Sequence, residues 1–197
     1  MPSPERFYEI LLEYKVDPKV ITKIKKGFPD TTLKVKKKIK AEFFKQALSV
    51  METELGVDKT REIFEANACC KTGTRLKASK EFARINEGLG MEEKLIKISK
   101  APYMNMGAAV LDENGEIVVH AVNYIVDGVF CCACPSISRQ PVYPESKNYC
   151  YCCAGHFKYH YEIMLGCKLS VAEIVSSPLD SKGQNSCVIK FSVLENL

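Results

Sequence analysis

The feature that most constrains this chain is a doubled Cys-x-x-Cys, Cys131/Cys134 and Cys150/Cys153, separated by the fifteen residues Pro135 to Tyr149. The spacing falls in the range of a four-sulfur zinc site, whose tetrahedron would pin an otherwise unstructured loop. Cys132 and Cys152 lie inside the same pairs, and the second pair runs directly into a helical pattern containing His156 and His160. The expected zinc ligands are Cys131, Cys134, Cys150 and Cys153. Cys132, Cys152, His156, Cys69 and Cys70 are the candidate substitutes or supporting groups. Four thiolates on Zn²⁺ would leave a formal negative charge that Arg139, Lys147 and Lys158 stand near enough in sequence to offset.

Around this loop the periodicity changes. Ser3-Pro4 opens a helix with Phe7, Ile10, Leu11 and Tyr14 at helical spacing, and Asp17-Pro18 opens a second one closed by Gly27. Leu33 to Leu55 is the longest helical pattern, with Val35, Ile39, Phe43, Phe44, Ala47, Leu48 and Met51 on one stripe, and Thr60 to Cys70 and Met91 to Ile98 follow. From Met106 the apolar residues alternate. Met106 to Leu111 and Ile117 to Val126 read as strands joined around Asn114-Gly115, a hairpin signal. Tyr151 to Leu165 reads as a helix closed by Gly166, and Leu169 to Ser176 and Cys187 to Leu194 as strands. The order predicts an α+β fold, N-terminal helices packed on a mainly antiparallel sheet, with the Cys-rich loop as a metal-binding insertion. We expect one domain over residues 1–197: a basic helical segment, 1–60, and a core, 61–197, carrying the loop 131–153.

Ten cysteines matter differently in different compartments. Met-Pro-Ser-Pro-Glu-Arg does not read as a secretory signal and no apolar run reaches a membrane span's length, so a cytoplasmic setting with reduced thiols is expected. Cys167 and Cys187 read as small buried hydrophobes. The net charge of +4 resides wholly in residues 1–60, which hold 13 Lys/Arg against 9 Asp/Glu. The run Lys34, Lys36, Lys37, Lys38, Lys40 reads as a solvated face rather than a nucleic-acid surface, since neither aromatic nor glycine-rich residues accompany it.

On a helix, with about 100° per residue from Cys152, His156 falls near 40°, His160 near 80° and Cys153 near 100°, so all four share a face. That arrangement suits ligation or proton shuttling, and equally two histidines facing a polar loop. His120 reads as a strand residue. Cys69-Cys70 precedes the basic turn Lys71-Thr72-Gly73-Thr74-Arg75 and reads either as a further thiol source or as a pair at a helix end. Ferredoxin spacings are absent. A redox Cys-x-x-Cys, or Cys152 or Cys153 as nucleophile with His156, is the chemical alternative to zinc.

Cys152-x-x-Gly155, Gly166, the strand Val171-Ala172-Glu173-Ile174-Val175 and Gly183-x-x-x-Cys187-x-x-Lys190-Phe191 carry a resemblance over about a quarter of the chain. In these residues it resembles the ligand-binding domains related to bacteriochlorophyll 4-vinyl reductase and 2-amino-thiazoline-4-carboxylate hydrolase, with Phe191 two places later than in that pattern. The resemblance implies N-terminal helices on an antiparallel sheet and a pocket for a small hydrophobic or heterocyclic ligand. It also implies a sensor, accessory or occasional hydrolase role, with cysteine and histidine as metal ligands in some members. The expected partners are a small molecule and, as an open alternative, a second copy in a homodimer, with no nucleic acid and no membrane. The competing expectation is a metal-assisted hydrolase or thiol-dependent enzyme acting on a small heterocycle.

Overall fold

A computed structural model describes residues 3–28, 35–101, 106–121, 124–134 and 137–196. The N-terminal helices begin where capping chemistry places them. Ser3 accepts the backbone N–H of Arg6 at 3.2 Å to open α1 (Pro4–Glu13), and Asp17 accepts that of Lys19 at 2.7 Å to open α2 (Pro18–Lys25). α3 spans Lys37–Leu55, and Gly56, at φ +80°, turns the chain directly into α4 (Val57–Ala66). The expected start at Leu33 lies outside the described residues, and Ile39, assigned to the core stripe, is exposed on the first turn of α3. Lys36, Lys37 and Lys38 face solvent, whereas Lys40 is buried and Lys34 lies outside the described residues. The stretch after Cys70, read only as glycine-interrupted, forms α5 (Gly73–Ile85), and α6 covers Met91–Ser99.

The second half is an antiparallel sheet plus a hairpin. β1 (Ala108–Leu111) and β2 (Ile117–His120) are joined by the expected turn, in which the Asp112 carboxylate accepts the amides of Asn114 and Glu116, both at 2.9 Å. The run read as one strand to Val126 is two. β2 ends at His120, whose side chain is exposed, and β3 (Tyr124–Val126) pairs instead with β4 (Val129–Cys131). Asp127 and Gly128 join them with φ of +52° and +77°, the left-handed pair a two-residue hairpin turn requires. A 3-10 turn, Lys147–Cys150, leads into α7 (Tyr151–Leu165), closed by Gly166 in the left-handed conformation. β5 (Cys167–Ser176) and β6 (Val188–Asn196) complete a four-stranded sheet ordered β1-β2-β6-β5.

Among the described residues the fold is therefore α+β: seven helices, a four-stranded antiparallel sheet and a separate hairpin. α7 is the central element. It lies on β5, meets α4, α5 and α6, and is buried along most of its length. On the sheet side the core is formed by Ile117, Val119, Leu169, Ile174, Ile189 and Phe191. Among the N-terminal helices it is an aromatic cluster of Phe7, Phe43, Phe44 and Phe64. Tyr149 extends it, 5.7 Å and 5.5 Å from Phe44 and Phe64 between ring centres. Its hydroxyl lies 3.5 Å from Cys134 Sγ, so the core abuts the cysteine loop. No described helix is long and apolar enough to cross a membrane.

Candidate functional site

Nine of the ten cysteines come from four segments, and the tenth, Cys167, opens β5. β4 and the loop behind it bring Cys131, Cys132 and Cys134. The 3-10 turn and α7 bring Cys150, Cys152 and Cys153. The turn after α4 brings Cys69 and Cys70, and the residue preceding β6 is Cys187. Cys153 lies within electrostatic range of Cys134, Cys132, Cys152 and Cys187, so that charge on any of them would disfavour charge on Cys153. Cys132 is likewise within range of Cys134, Cys187 and Cys131, and Cys150 of Cys132 and Cys187. Cys152 is within range of Cys134 and Cys69. The thiols thus share one region of the fold, and Cys187, read as an isolated hydrophobe, belongs to it.

The four expected ligands are not equivalent within that cluster. Cys131 Sγ turns outward to the Val129 carbonyl at 3.8 Å, and Cys150 Sγ donates to Ser177 Oγ at 3.1 Å. Cys134 Sγ meets the Tyr149 hydroxyl at 3.5 Å, and Cys132 Sγ accepts the Cys134 backbone N–H at 3.4 Å. Such an N–H···S bond is the kind that supports metal-bound sulfur. Among the described residues no group of three or more His, Cys, Asp or Glu side chains is arranged to hold a metal ion.

Burial dominates the electrostatics. It raises the Cys150, Cys152 and Cys153 thiols well above their ordinary range, pushes Cys69 and Cys187 up to about 11, and neighbouring sulfurs add to the effect in all but Cys187. Burial therefore outweighs the stabilisation that the α7 N-terminus could give a thiolate. A helix terminus offers about 0.3–1 kcal/mol, less than the ~1.4 kcal/mol of a single pKa unit. At neutral pH these are protonated thiols.

The shared face of α7 grips the turn after α4. Cys152 Sγ donates to the Asn67 carbonyl at 3.3 Å, His156 Nδ1 to the Cys69 carbonyl at 2.9 Å, and His160 Nε2 to the Cys70 carbonyl at 3.0 Å. Carbonyls only accept, so each of those ring nitrogens carries the proton. His156 Nε2 is then an acceptor, from Arg75 Nη1 at 2.7 Å, and His160 Nδ1 lies 2.8 Å from Ser79 Oγ, whose single proton also faces the Arg75 carbonyl at 3.0 Å. Burial, and for His156 the adjacent His160, keeps both rings neutral, and the His156 pKa falls to about 3. Both nitrogens of His156 are thus engaged with the turn and α5.

Gly155 sits on this helix where α4 arrives. A Cβ there would lie 2.2 Å from the Glu65 carbonyl oxygen, so the glycine permits a close approach to α4. On the solvent side of the cluster are two clefts, of about 170 and 300 Å³, which share Cys132, Ser138 and Arg139. Ile137, Tyr143 and Leu179 give the first an apolar wall. Arg139, Lys182 and, in the second, Lys37 give the pair positive charge, and no carboxylate lines either one. No protein-family model, curated protein or solved structure matches the chain.

Proposed function

We propose that the chain is a zinc-binding protein of the sensor or accessory kind, with Cys132, Cys134, Cys153 and Cys187 holding the ion and a small ligand occupying the cleft beside Cys132. The observation that carries this reading is the gathering of cysteines from separate segments: Cys132 Sγ accepts the Cys134 backbone N–H at 3.4 Å, and Cys153 on α7 lies within electrostatic range of Cys132, Cys134 and Cys187. The donor chemistry fits a soft or borderline ion, being all sulfur with an N–H···S bond already made. Asn67, 2% exposed, has both side-chain amide atoms without a partner, and it lies where Cys152 joins the turn. An orphaned buried amide beside a thiol cluster is accounted for by an occupant that the cluster would hold. Loading requires side-chain rotation, since the donors are adjacent but not convergent on one point. Bound zinc would supply the positive charge that lets the thiols ionise and would tie the Cys-rich loop to α7 and β6.

The resemblance over residues 152–191 supports the small-ligand part of this reading, as does the cation-lined cleft. A metal-assisted hydrolase is the second reading, favoured by one observation: Cys132 lines both clefts, so an ion beside it would border the ligand. The thiol-dependent enzyme has less support, because burial leaves Cys152 and Cys153 protonated and the hydrogen bonds of His156 go to Cys69 and Arg75.

Purification under reducing conditions without chelator, followed by metal analysis, is the test. About one zinc per chain is expected in the parent, with loss on Cys153→Ser and retention on Cys131→Ser. Less than roughly half an equivalent of any metal, with the fold intact, overturns the reading.

A further inference from the structure

Resting on the small-ligand part of that reading and not on its ion, we propose that the paired clefts take a small phosphomonoester. Its phosphoryl group would be held by Arg139 with Lys182 and Lys37, and a single ring would lie against the apolar wall of the first cleft. Arg139 lines both clefts, Lys182 the first and Lys37 the second, and Ser138 stands with Arg139 where the two join. Among the described residues none of these three cations is in an ion pair. Glu145, on the same loop as Arg139, is committed to Lys45 at 2.7 Å. The charge is therefore left for a ligand. A carboxylate would bring one negative charge, whereas a phosphomonoester brings about 1.5 to 2 at neutral pH and three acceptor oxygens. Three uncompensated cations, one of them a guanidinium that can bind two oxygens at once, fit the phosphoryl group better.

The walls that carry the charge are fixed by backbone bonds. In one, the Ile137 and Ser138 amides both donate to the Cys134 carbonyl, at 3.1 and 2.9 Å, and the Gln140 amide donates to the Ile137 carbonyl at 3.1 Å. The Gln140 side chain adds a bond to the Ser138 carbonyl at 3.3 Å. In the other, the Gly183 amide donates to the Pro178 carbonyl at 2.9 Å, and the Gly183 carbonyl accepts the Phe130 amide at 2.9 Å, which fastens the turn to β4. Each wall holds its cation in left-handed backbone, Arg139 at φ +61° and Lys182 at φ +52°. Glycine adopts that conformation freely and a residue with a Cβ does not, and such residues gather at ligand sites.

Size limits the rest of the ligand. The first cleft, about 170 Å³, has Ile137, Tyr143 and Leu179 as its apolar wall. A cavity of about 150 Å³ accommodates one benzene ring, so a single ring fits and a nucleotide does not.

The test is an amide NMR titration of the full chain, purified under reducing conditions without chelator, with zinc measured on the same sample. The probes are phenyl phosphate, inorganic phosphate, which lacks the ring, and benzoate, which lacks the second charge. Phenyl phosphate should shift amides within residues 137–140 and 181–183 saturably and bind about tenfold or more tightly than either of the others. Arg139→Gln and Lys182→Gln, both at exposed side chains, should each weaken it about tenfold, and Lys80→Gln, exposed but outside both clefts, should leave it unchanged. No saturable shift, or benzoate or inorganic phosphate binding as tightly as phenyl phosphate, would overturn the proposal. Equal weakening by all three substitutions would overturn it too, since the attraction would then be that of overall charge. A zinc-free sample that binds phenyl phosphate would sink the ion and leave this site standing, and a zinc-loaded sample that does not bind it would do the reverse.

Discussion

Replacing Gly155 with Ala isolates the packing that sets the site. In an unobstructed helix this change stabilises by about 1 kcal/mol, because alanine is the better helix former. Here the new Cβ would lie 2.2 Å from the Glu65 carbonyl oxygen, 3.0 Å from its carbon and 3.1 Å from Ala68 Cβ. Relief to an ordinary contact requires the end of α4 to retreat by roughly 1 Å, since the obstacle is backbone and cannot rotate away. The Lys158–Glu65 ion pair, 2.8 Å, bridges the same two helices and resists that movement. Overpacking costs typically about 1–3 kcal/mol, and an overlap this close with backbone stands at the upper end, about 2–3 kcal/mol, so the net loss is about 1–2 kcal/mol after the helix-propensity gain. For a chain of this length that lowers Tm by roughly 2–8 °C. Retreat of α4 also withdraws Asn67 and the turn behind it from Cys152, His156 and His160. Thermal unfolding followed by circular dichroism reads the first effect, and hydrogen exchange at residues 67–72 reads the second. Gly88→Ala, where nothing lies within 4 Å, is the control and should leave Tm nearly unchanged. A Gly155→Ala protein melting at or above the parent would refute the reasoning, because only the overlap makes the sign negative.

Two further outcomes follow from the same geometry. His156 titrates near 3 in the folded chain and about 6.5 when unfolded, so the unfolded state binds the extra proton between these values. Its contribution is complete above pH 6.5 and is lost as pH falls, by about 2 kcal/mol between pH 8 and pH 5. Urea unfolding of the metal-free protein across that range should show the loss and His156→Gln should flatten it; stability that holds level in the parent would contradict the neutral ring. Gly183 at φ +84° accepts the Phe130 amide at 2.9 Å, and a Cβ there would meet Val129 Cγ1 at 2.0 Å. Gly183→Ala should therefore undock the β3–β4 hairpin, seen as faster proteolysis within residues 124–134; parental cleavage rates would count against that docking.

The helices with side-chain caps were legible in the sequence, because Ser3-Pro4 and Asp17-Pro18 specify their first turns locally and Gly166 ends α7. α5 was missed because its opening residues, Gly73 and Thr74, read as a turn and its buried residues are few. The β3–β4 hairpin was hidden in a run of β-branched residues, although Asp127-Gly128 is itself a hairpin signal that outranks the run. The doubled Cys-x-x-Cys marks the region where most of the thiols gather but does not order its members. Cys187 enters through sheet register, and that long-range pairing leaves no spacing to read. The attachment of the 67–70 turn to α7 uses backbone carbonyls, acceptors every residue possesses, so its histidines could be placed on a face without revealing what that face would hold.

The same burial that hid the cluster's logic also narrows its chemistry. A nucleophilic or redox-active cysteine needs a depressed pKa, and partial exposure beside positive charge provides it. The inner sulfurs here have the reverse: they are shielded from water, crowded by one another, and served by a helix terminus too weak to compensate. Ionising any one of them alone is unfavourable, and ionising a second beside it more so. A divalent cation among them inverts both costs together, since it replaces lost hydration with bonds and turns mutual repulsion into shared attraction. Protonated, these thiols are inert toward most electrophiles, and an ion among them would let them ionise together.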